Sequence, residues 1–242
     1  MIKKIKCAAL LISVFACGAL LAQSNATVTD RDGNVYQTIK TGDQVWMTEN
    51  LKTTTFNDGT PIPHITENTE WVSLSTPGYC VQQNDPGKKD TYGVLYNWYA
   101  VKTGKLCPKG WHVATEKDWQ RLEIALGMSA EDAGNDSWRG TQGGQLAGHK
   151  EMWVNGALKS AADFSDSGFH GLPAGNRLAD NGLFGNIGTN AYWWSASENE
   201  TNSAWGRMLH YGSTHVIKSA FDKQYGFCVR CVQDQESQNN GE

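Results

Sequence analysis

Cys228 and Cys231 stand three residues apart in Gly226-Phe227-Cys228-Val229-Arg230-Cys231, the spacing of a redox dithiol or of half a zinc site. In a strand, residues three apart point to opposite faces, so the two sulfurs do not easily meet. Neither a βαβ pattern nor a second Cys-x-x-Cys accompanies them. Structural bridges are therefore the expected use. A partner stands in Leu106-Cys107-Pro108-Lys109-Gly110-Trp111-His112, directly before a helix signal. A Cys107–Cys231 bond would tie that helix to the last strand; closing a loop on the order of 100 residues contributes about 4–5 kcal/mol. Alternation puts Cys231 on the face of Phe227 and Val229, and Cys228 beside Arg230, which makes Cys231 the natural partner of Cys107.

Other groups suggest binding more than turnover. Asp30-x-Asp32-Gly33-Asn34 has the start of a calcium loop, but a twelve-residue loop would need Glu at position 41, where Thr41 stands. A tight turn explains those residues more simply, and calcium is kept only as a weak possibility. The stretch 176–190, with Glu198-Asn199-Glu200 after it, supplies Asn176, Arg177, Asp180, Asn181, Asn186, Asn190, Glu198 and Asn199. Such amide and charged groups suit sugar hydroxyls, although a polar, glycine-rich loop is ordinarily a solvated connection. His210 and His215 could face each other across a hairpin, but no third metal ligand lies near them. Glu49, Asp118 and Asp163 could pair in space, which sequence alone does not decide. No Gly-x-Ser-x-Gly, His-Glu-x-x-His or Walker motif is present, so no catalytic residues are assigned and no enzyme is expected. Most of the ten tryptophans are expected in the core; Trp71, Trp138 and Trp153, in polar surroundings, are the expected exposed ones and candidate sugar-stacking faces.

Lys3, Lys4 and Lys6, an apolar run from Cys7 to Leu21, and Ala22 form a secretory signal peptide over residues 1–22. Polar sequence follows at once, so this is not a membrane span, and acylation at Cys17 is the less favoured alternative. Removing those three lysines from 21 Lys and Arg leaves 18 basic against 25 acidic residues, taking the formal charge from −4 to −7. That balance argues against nucleic acid as a partner. Of six cysteines, Cys80, Cys107, Cys228 and Cys231 remain; in an oxidising compartment they imply two bridges, with three possible pairings.

Several elements must position these groups. Asp32-Gly33, between Val28 and Val35-Tyr36-Gln37-Thr38-Ile39, predicts a hairpin, although residues 23–29 otherwise look like a short leader. Gln44–Met47 predicts a short strand; Tyr92–Val101, dense in aromatics, could be a short helix or a strand, and the spacing of Leu95, Trp98 and Tyr99 favours a helix. Thr115 with Asp118 caps the clearest helix, lined by Trp119, Leu122 and Leu126 and stopped by Gly127. Tyr192–Ser197, Ala204–Tyr211, His215–Ser219 and Phe227–Val232 predict consecutive strands. Helices early and strands late make an α+β domain over 30–234, with a polar tail at 235–242.

The chain resembles the Fibrobacter succinogenes major paralogous domain family. The matching segments are Asp30–Tyr36, Gln44–Leu51, Tyr92–Val101, Cys107–His112, Trp193-Trp194-Ser195 and Gly226–Cys231, in order across roughly residues 28–234. The resemblance implies a C-type lectin-like fold: a small twisted antiparallel sheet, one or two helices and long loops. Cys228 stands where the family leads one to expect a small residue, which implies a second bridge from Cys80 to Cys228. The Glu-Pro-Asn or Gln-Pro-Asp signature of calcium-dependent lectins is missing. The expectation is an exported, monomeric or weakly associating module in the periplasm, on the cell surface or outside the cell. It would bind a glycan or an envelope or extracellular protein through its long loops. The alternatives are an envelope assembly component without a small ligand, and a cryptic hydrolase.

Overall fold

A computed structural model describes residues 26–235; the signal segment 1–22, and with it Cys17, and the tail beyond 235 lie outside the described residues. Strands β1 (Thr27–Thr29), β2 (Val35–Thr41) and β3 (Gln44–Met47) form an antiparallel run, so residues 27–29 belong to the domain rather than to a leader. The turn between β1 and β2 is built by Asp30, which accepts from the backbone N–H of Asp32 and Asn34, from Asn34 Nδ2 and from Tyr36 Oη. Helix α1 (Asn68–Val72), strand β4 (Tyr79–Cys80) and helix α2 (Lys89–Tyr92) follow; then come strand β5 (Leu95–Tyr96), helix α3 (Trp98–Lys102) and strand β6 (Trp111–Val113). The segment expected as one helix over Tyr92–Val101 is therefore broken. Gly93 takes φ +77, and a Cβ there would stand 2.8 Å from the Leu51 carbonyl oxygen. The helix restarts where Asn97 accepts from the Ala100 N–H.

The longest helix is α4 (Glu116–Ala125), where the expected capping box is complete: Thr115 Oγ1 accepts from the Asp118 N–H and Asp118 accepts from the Thr115 N–H. Trp119 and Leu122 are buried, and Gly127 ends the turn at φ +97. Short helix α5 (Ala130–Gly134), strand β7 (Ser137–Arg139) and helix α6 (Gly143–Leu146) lead into a long loop. Strands β8 (Asn176–Arg177) and β9 (Phe184–Gly185) form a small ribbon; β10 (Asn190–Glu200), β11 (Ser203–His210) and β12 (Val216–Asp222) form a meander. The last strand, β13 (Cys231–Gln233), does not continue that meander. It inserts between β3 and β6, giving a five-stranded sheet in the order β1-β2-β3-β13-β6 beside a four-stranded sheet β10-β11-β12-β7. The architecture is mixed α+β, with every strand ladder antiparallel and few, short helices.

Both faces of several strands are buried, which explains their near-continuous apolar runs. Along β10, Ala191 and Trp193 enter one core while Tyr192 and Trp194 enter the other. The closing segment does the same: Phe227, Val229 and Cys231 face one core, Cys228 and Val232 the other. The alternation expected around Cys231 holds, and Cys107 and Cys231 are bonded across a separation of 124 residues. The resemblance-based second bridge is corrected: Cys80 and Cys228 are buried free thiols. Leu95 pairs with Cys80, and its neighbour Tyr96 bridges Phe227, so the β5 strand runs between the two cysteines. Two strand spacings amount to about 9–10 Å, beyond the reach of a disulfide.

The tryptophan expectation is corrected in part. Trp138 is exposed, but Trp71 and Trp153 are buried. Trp71 lies under the Arg177 guanidinium at 4.6 Å, and Trp153 Nε1 donates to the Gly148 carbonyl. Helix α1 carries Trp71 inward on its buried side, whereas Trp153 is enclosed by loop backbone.

Candidate functional site

A cleft of about 480 Å³ opens between β2, the segment 48–52, α2 and the long loop that follows α6. Strand β2 supplies Gln37, Thr38 and Ile39; the chain after β3 supplies Thr48, Glu49, Asn50 and Lys52. Helix α2 adds Asp90 with Thr91 after it, and the loop adds His149, Met152, His170 and Leu172. The loop closes on itself by a clasp. Ala147 bridges Gly171, the Gly148 N–H donates to the Gly171 carbonyl, and the Gly171 N–H donates to the Leu146 carbonyl. A Cβ at Gly148 would stand 2.5 Å from the His170 Cα, so only glycine lets the two strands of the clasp approach.

His149 and His170, one on each side of the clasp, both take φ +53, and their rings meet edge to face at 6.0 Å between centroids. A left-handed backbone costs a residue with a Cβ roughly 1–2 kcal/mol, and such conformations gather at functional sites. Beneath them lies Arg230, fully buried. Its Nη1 donates to the carbonyls of Met47 (3.0 Å) and Phe169 (2.7 Å), its Nη2 to that of His170 (3.1 Å), and its Nε to Asn50 Oδ1 (2.8 Å). The guanidinium also lies 4.2 Å from the centre of the Phe169 ring. Asn50 Oδ1 accepts a second bond from Trp193 Nε1, and its Nδ2 donates to the Tyr92 carbonyl. Arg230 and Asn50 thus lock both walls of the cleft to the core.

The electrostatics of the cleft are mixed. Lys52 pairs with Glu49 at 3.3 Å, and Asp90 adds a second carboxylate. Burial lowers the His170 pKa, the Arg230 and His149 charges lower it further, and Glu49 opposes them. The His170 imidazole is therefore neutral at pH 7 and presents one donor and one acceptor. Burial likewise depresses Arg230, to about 9, which leaves it a cation at neutral pH. Hydroxyls, amides, carboxylates and a neutral imidazole, set among Ile39, Met152 and Leu172, suit an uncharged polar ligand with many hydroxyl groups.

The loop chosen from sequence has a different organisation. Asn176, Arg177 and Asn190 are buried. Arg177 donates to the carbonyls of Gly182, Ile65 and Thr66 and to Asn68 Oδ1, between the rings of Trp71 and Phe184. Asn190 Nδ2 donates to Tyr192 Oη, and Asn186 joins Asn176 Oδ1 to the same hydroxyl. Asn181 accepts from the Leu183 N–H within its turn, and Asp180 is exposed. Farther on, Glu198 pairs with Lys223 and Lys102, and Asn199 donates to Ser203. These eight residues do not converge on the cleft. Sequence reasoning missed His149 and His170, because a left-handed histidine has no local signature; Asn50 lay in a matching segment without an assigned role, and Glu49, considered for pairing with Asp118 and Asp163, lines the cleft without either of them. Among the described residues no group of three or more His, Cys, Asp or Glu is placed to hold a metal ion.

The family model of the Fibrobacter succinogenes major domain matches residues 39–233, which takes in most of both cleft walls, the disulfide, the four-stranded sheet and β3, β13 and β6 of the five-stranded one. The chain belongs to this family. No curated protein and no solved structure matches it. Within the Fibrobacter succinogenes major domain, the matched segments of the sequence have structural tasks now visible. Thr48-Glu49-Asn50-Leu51 builds the cleft wall, and Val229-Arg230-Cys231 carries the arginine that anchors it. No helix among the described residues is long and apolar enough to cross a membrane.

Proposed function

We propose that this chain is an exported binding module, without catalysis of its own, that takes a glycan in the cleft between β2 and the loop following α6. The observation that carries this reading is the cleft itself: about 480 Å³ walled by hydroxyl, amide, carboxylate and imidazole groups that Arg230 and Asn50 hold to the core. A pocket of that size accommodates two or three sugar rings, and a rigid polar wall lowers the entropy cost of binding them. Export is supported by the signal-like residues 1–22 and by the Cys107–Cys231 bond, which persists in oxidising compartments. The lectin-like fold implied by the family resemblance agrees with recognition by long loops.

The test is a glycan array probed with the chain from Gln23 onward, with and without chelator, beside Glu49→Gln and Asp90→Asn variants. Both side chains are at the cleft surface. The expected result is retained glycans whose binding falls about tenfold in either variant while the melting temperature holds. Binding that ignores both substitutions would remove the cleft from the reading; the chelator arm reports whether calcium takes part.

A further inference from the structure

Trp138 is the only one of the ten tryptophans that leaves half its surface in water, at 51 % exposed. It lies on β7, the short edge strand of the four-stranded sheet, and no residue of the groove beside it lines the cleft. A half-exposed indole offers apolar surface on which a ligand can stack. Two histidines pack against it. The ladder pairs Met208 with Ile217, and the same register continues to set His210 opposite His215 across the β11–β12 turn. His210 meets the Trp138 ring at 5.9 Å and 71°, His215 at 6.2 Å and 76°. Both imidazoles therefore stand nearly perpendicular to the indole.

The nitrogens of those imidazoles are partly committed. His210 Nδ1 accepts from the Gly212 N–H at 3.1 Å, which places its proton on Nε2. His215 Nδ1 is bonded to Ser213 Oγ at 2.7 Å, leaving Nε2 as its remaining polar atom. Beside the indole runs a groove of about 350 Å³ lined by Asp136, Ser137, Trp205, Lys218 and Ser219. Lys218 is bound to Asp136 at 2.8 Å and lies 4.4 Å from the Trp205 ring centre, so the groove carries a fixed ion pair and two hydroxyls rather than loose charges. Ser137, immediately before the indole, takes φ +71, which sets the strand end that presents Trp138.

We propose that Trp138, flanked by His210 and His215, is a second carbohydrate subsite, separate from the cleft, for a neutral oligosaccharide whose pyranose rings carry equatorial hydroxyls. Such rings have a face of axial C–H groups that stacks on the indole. Their hydroxyls project at the rim, where perpendicular imidazoles meet them. The neighbouring groove takes the next sugar of a linear chain. The internally neutralised Asp136–Lys218 pair favours an uncharged ligand over a polyuronate.

The test is titration of the chain from Gln23 onward with neutral β-1,4-linked hexaoses of glucose, xylose and mannose, with a hexauronate for contrast. Affinity is read by calorimetry. At least one neutral hexaose is expected to bind. Trp138→Ala should weaken it about tenfold or more, Trp138→Phe should keep most of the affinity, and His210→Ala with His215→Ala should lie between. Melting temperatures separate binding from folding, since Trp138→Phe preserves the ring. Running these titrations in the Glu49→Gln background, where cleft binding is weakened, keeps the hexaose readout on the Trp138 site, so the two sites fail independently. Binding that survives Trp138→Ala, preference for the hexauronate, or no hexaose bound at millimolar concentration would each overturn the proposal.

Discussion

Two regions of this domain bury arginines in opposite ways. Behind the four-stranded sheet, Arg139 and Arg207 share the carboxylate of Glu123, at 2.8 and 2.7 Å, and Arg207 also grips Glu116 with two bonds. Beneath the loops, Arg177 and Arg230 bond no carboxylate among the described residues; their bonds end on carbonyls and amide oxygens, and their faces lie against aromatic rings. The first region joins regular elements, α4 to β7 and β11, whose backbone groups are already paired by helix and ladder. The second joins irregular chain, whose carbonyls have no ladder to enter and would otherwise be buried without donors. A planar guanidinium with five donors suits that task, since it satisfies several loop carbonyls from one point. Charge pairing therefore fastens sheet to helix, whereas guanidinium solvation by carbonyls fixes loops, those that wall the cleft through Arg230 and those around Trp71 through Arg177.

The largest effect that would sharpen this contrast comes from Glu123. Replacing it with Gln leaves Arg139 without its charge partner and Arg207 with only Glu116, and breaking a buried ion pair costs about 3–5 kcal/mol. Denaturant unfolding should show that loss as one cooperative transition, because the network joins the main helix to the sheet. Arg230→Met should cost less, about 2–4 kcal/mol, by orphaning buried carbonyls at Met47, Phe169 and His170. Its signature is local: protease cleavage or amide exchange should increase within residues 147–175 before the domain unfolds. If Arg230→Met instead destabilises every region equally, the division between the two regions fails.

The smallest effect is read by two histidines, one attached to each region. His112 bonds Asp118, in the α4 cap, at 3.0 Å and Asp234 at 2.6 Å. The Asp118 bond raises its pKa, with Asp234 adding to the effect and burial opposing. A raised folded value means that this contact stabilises fully below about pH 6.5 and is lost as pH climbs through the folded value. Burial, with the Arg230 and His149 charges, lowers His170. That depressed value makes the folded state resist a proton the unfolded chain accepts, so the His170 contribution weakens as pH falls below about 6.5. Imidazole resonances followed by NMR should titrate on opposite sides of the ordinary value. Coincident midpoints would contradict the electrostatic difference between the regions.

The legible parts of the molecule were those with local or covalent causes. The capping box at Thr115 and Asp118, the turn at Asp30–Asn34 and the alternation around Cys231 each depend on near neighbours in sequence, and each stands in the structure as read. The misreadings share a different character. Trp71 and Trp153 sit among polar residues yet are buried, because loop backbone closes over them with carbonyls turned to Arg177 and, for Trp153, to the indole itself. Arg177 and Asn190 have the chemistry of ligand contacts but are consumed by the fold. The single helix expected over Tyr92–Val101 failed because Gly93 must pass within contact of Asn50 and Leu51, about forty residues away. The cleft itself is made by segments around positions 38, 50, 90, 149 and 170, which no local pattern connects.

By itself, the sequence determined the family, the α+β composition, the capped helix and the long-range disulfide, because propensity, turn chemistry and side-chain alternation act over a few residues. Only the tertiary structure decided which polar groups remain free to meet a ligand. A buried cation must find oxygen wherever the chain has brought it, and that choice removed Arg177 from the surface while Arg230 set His170 and Asn50 at the wall of the cleft.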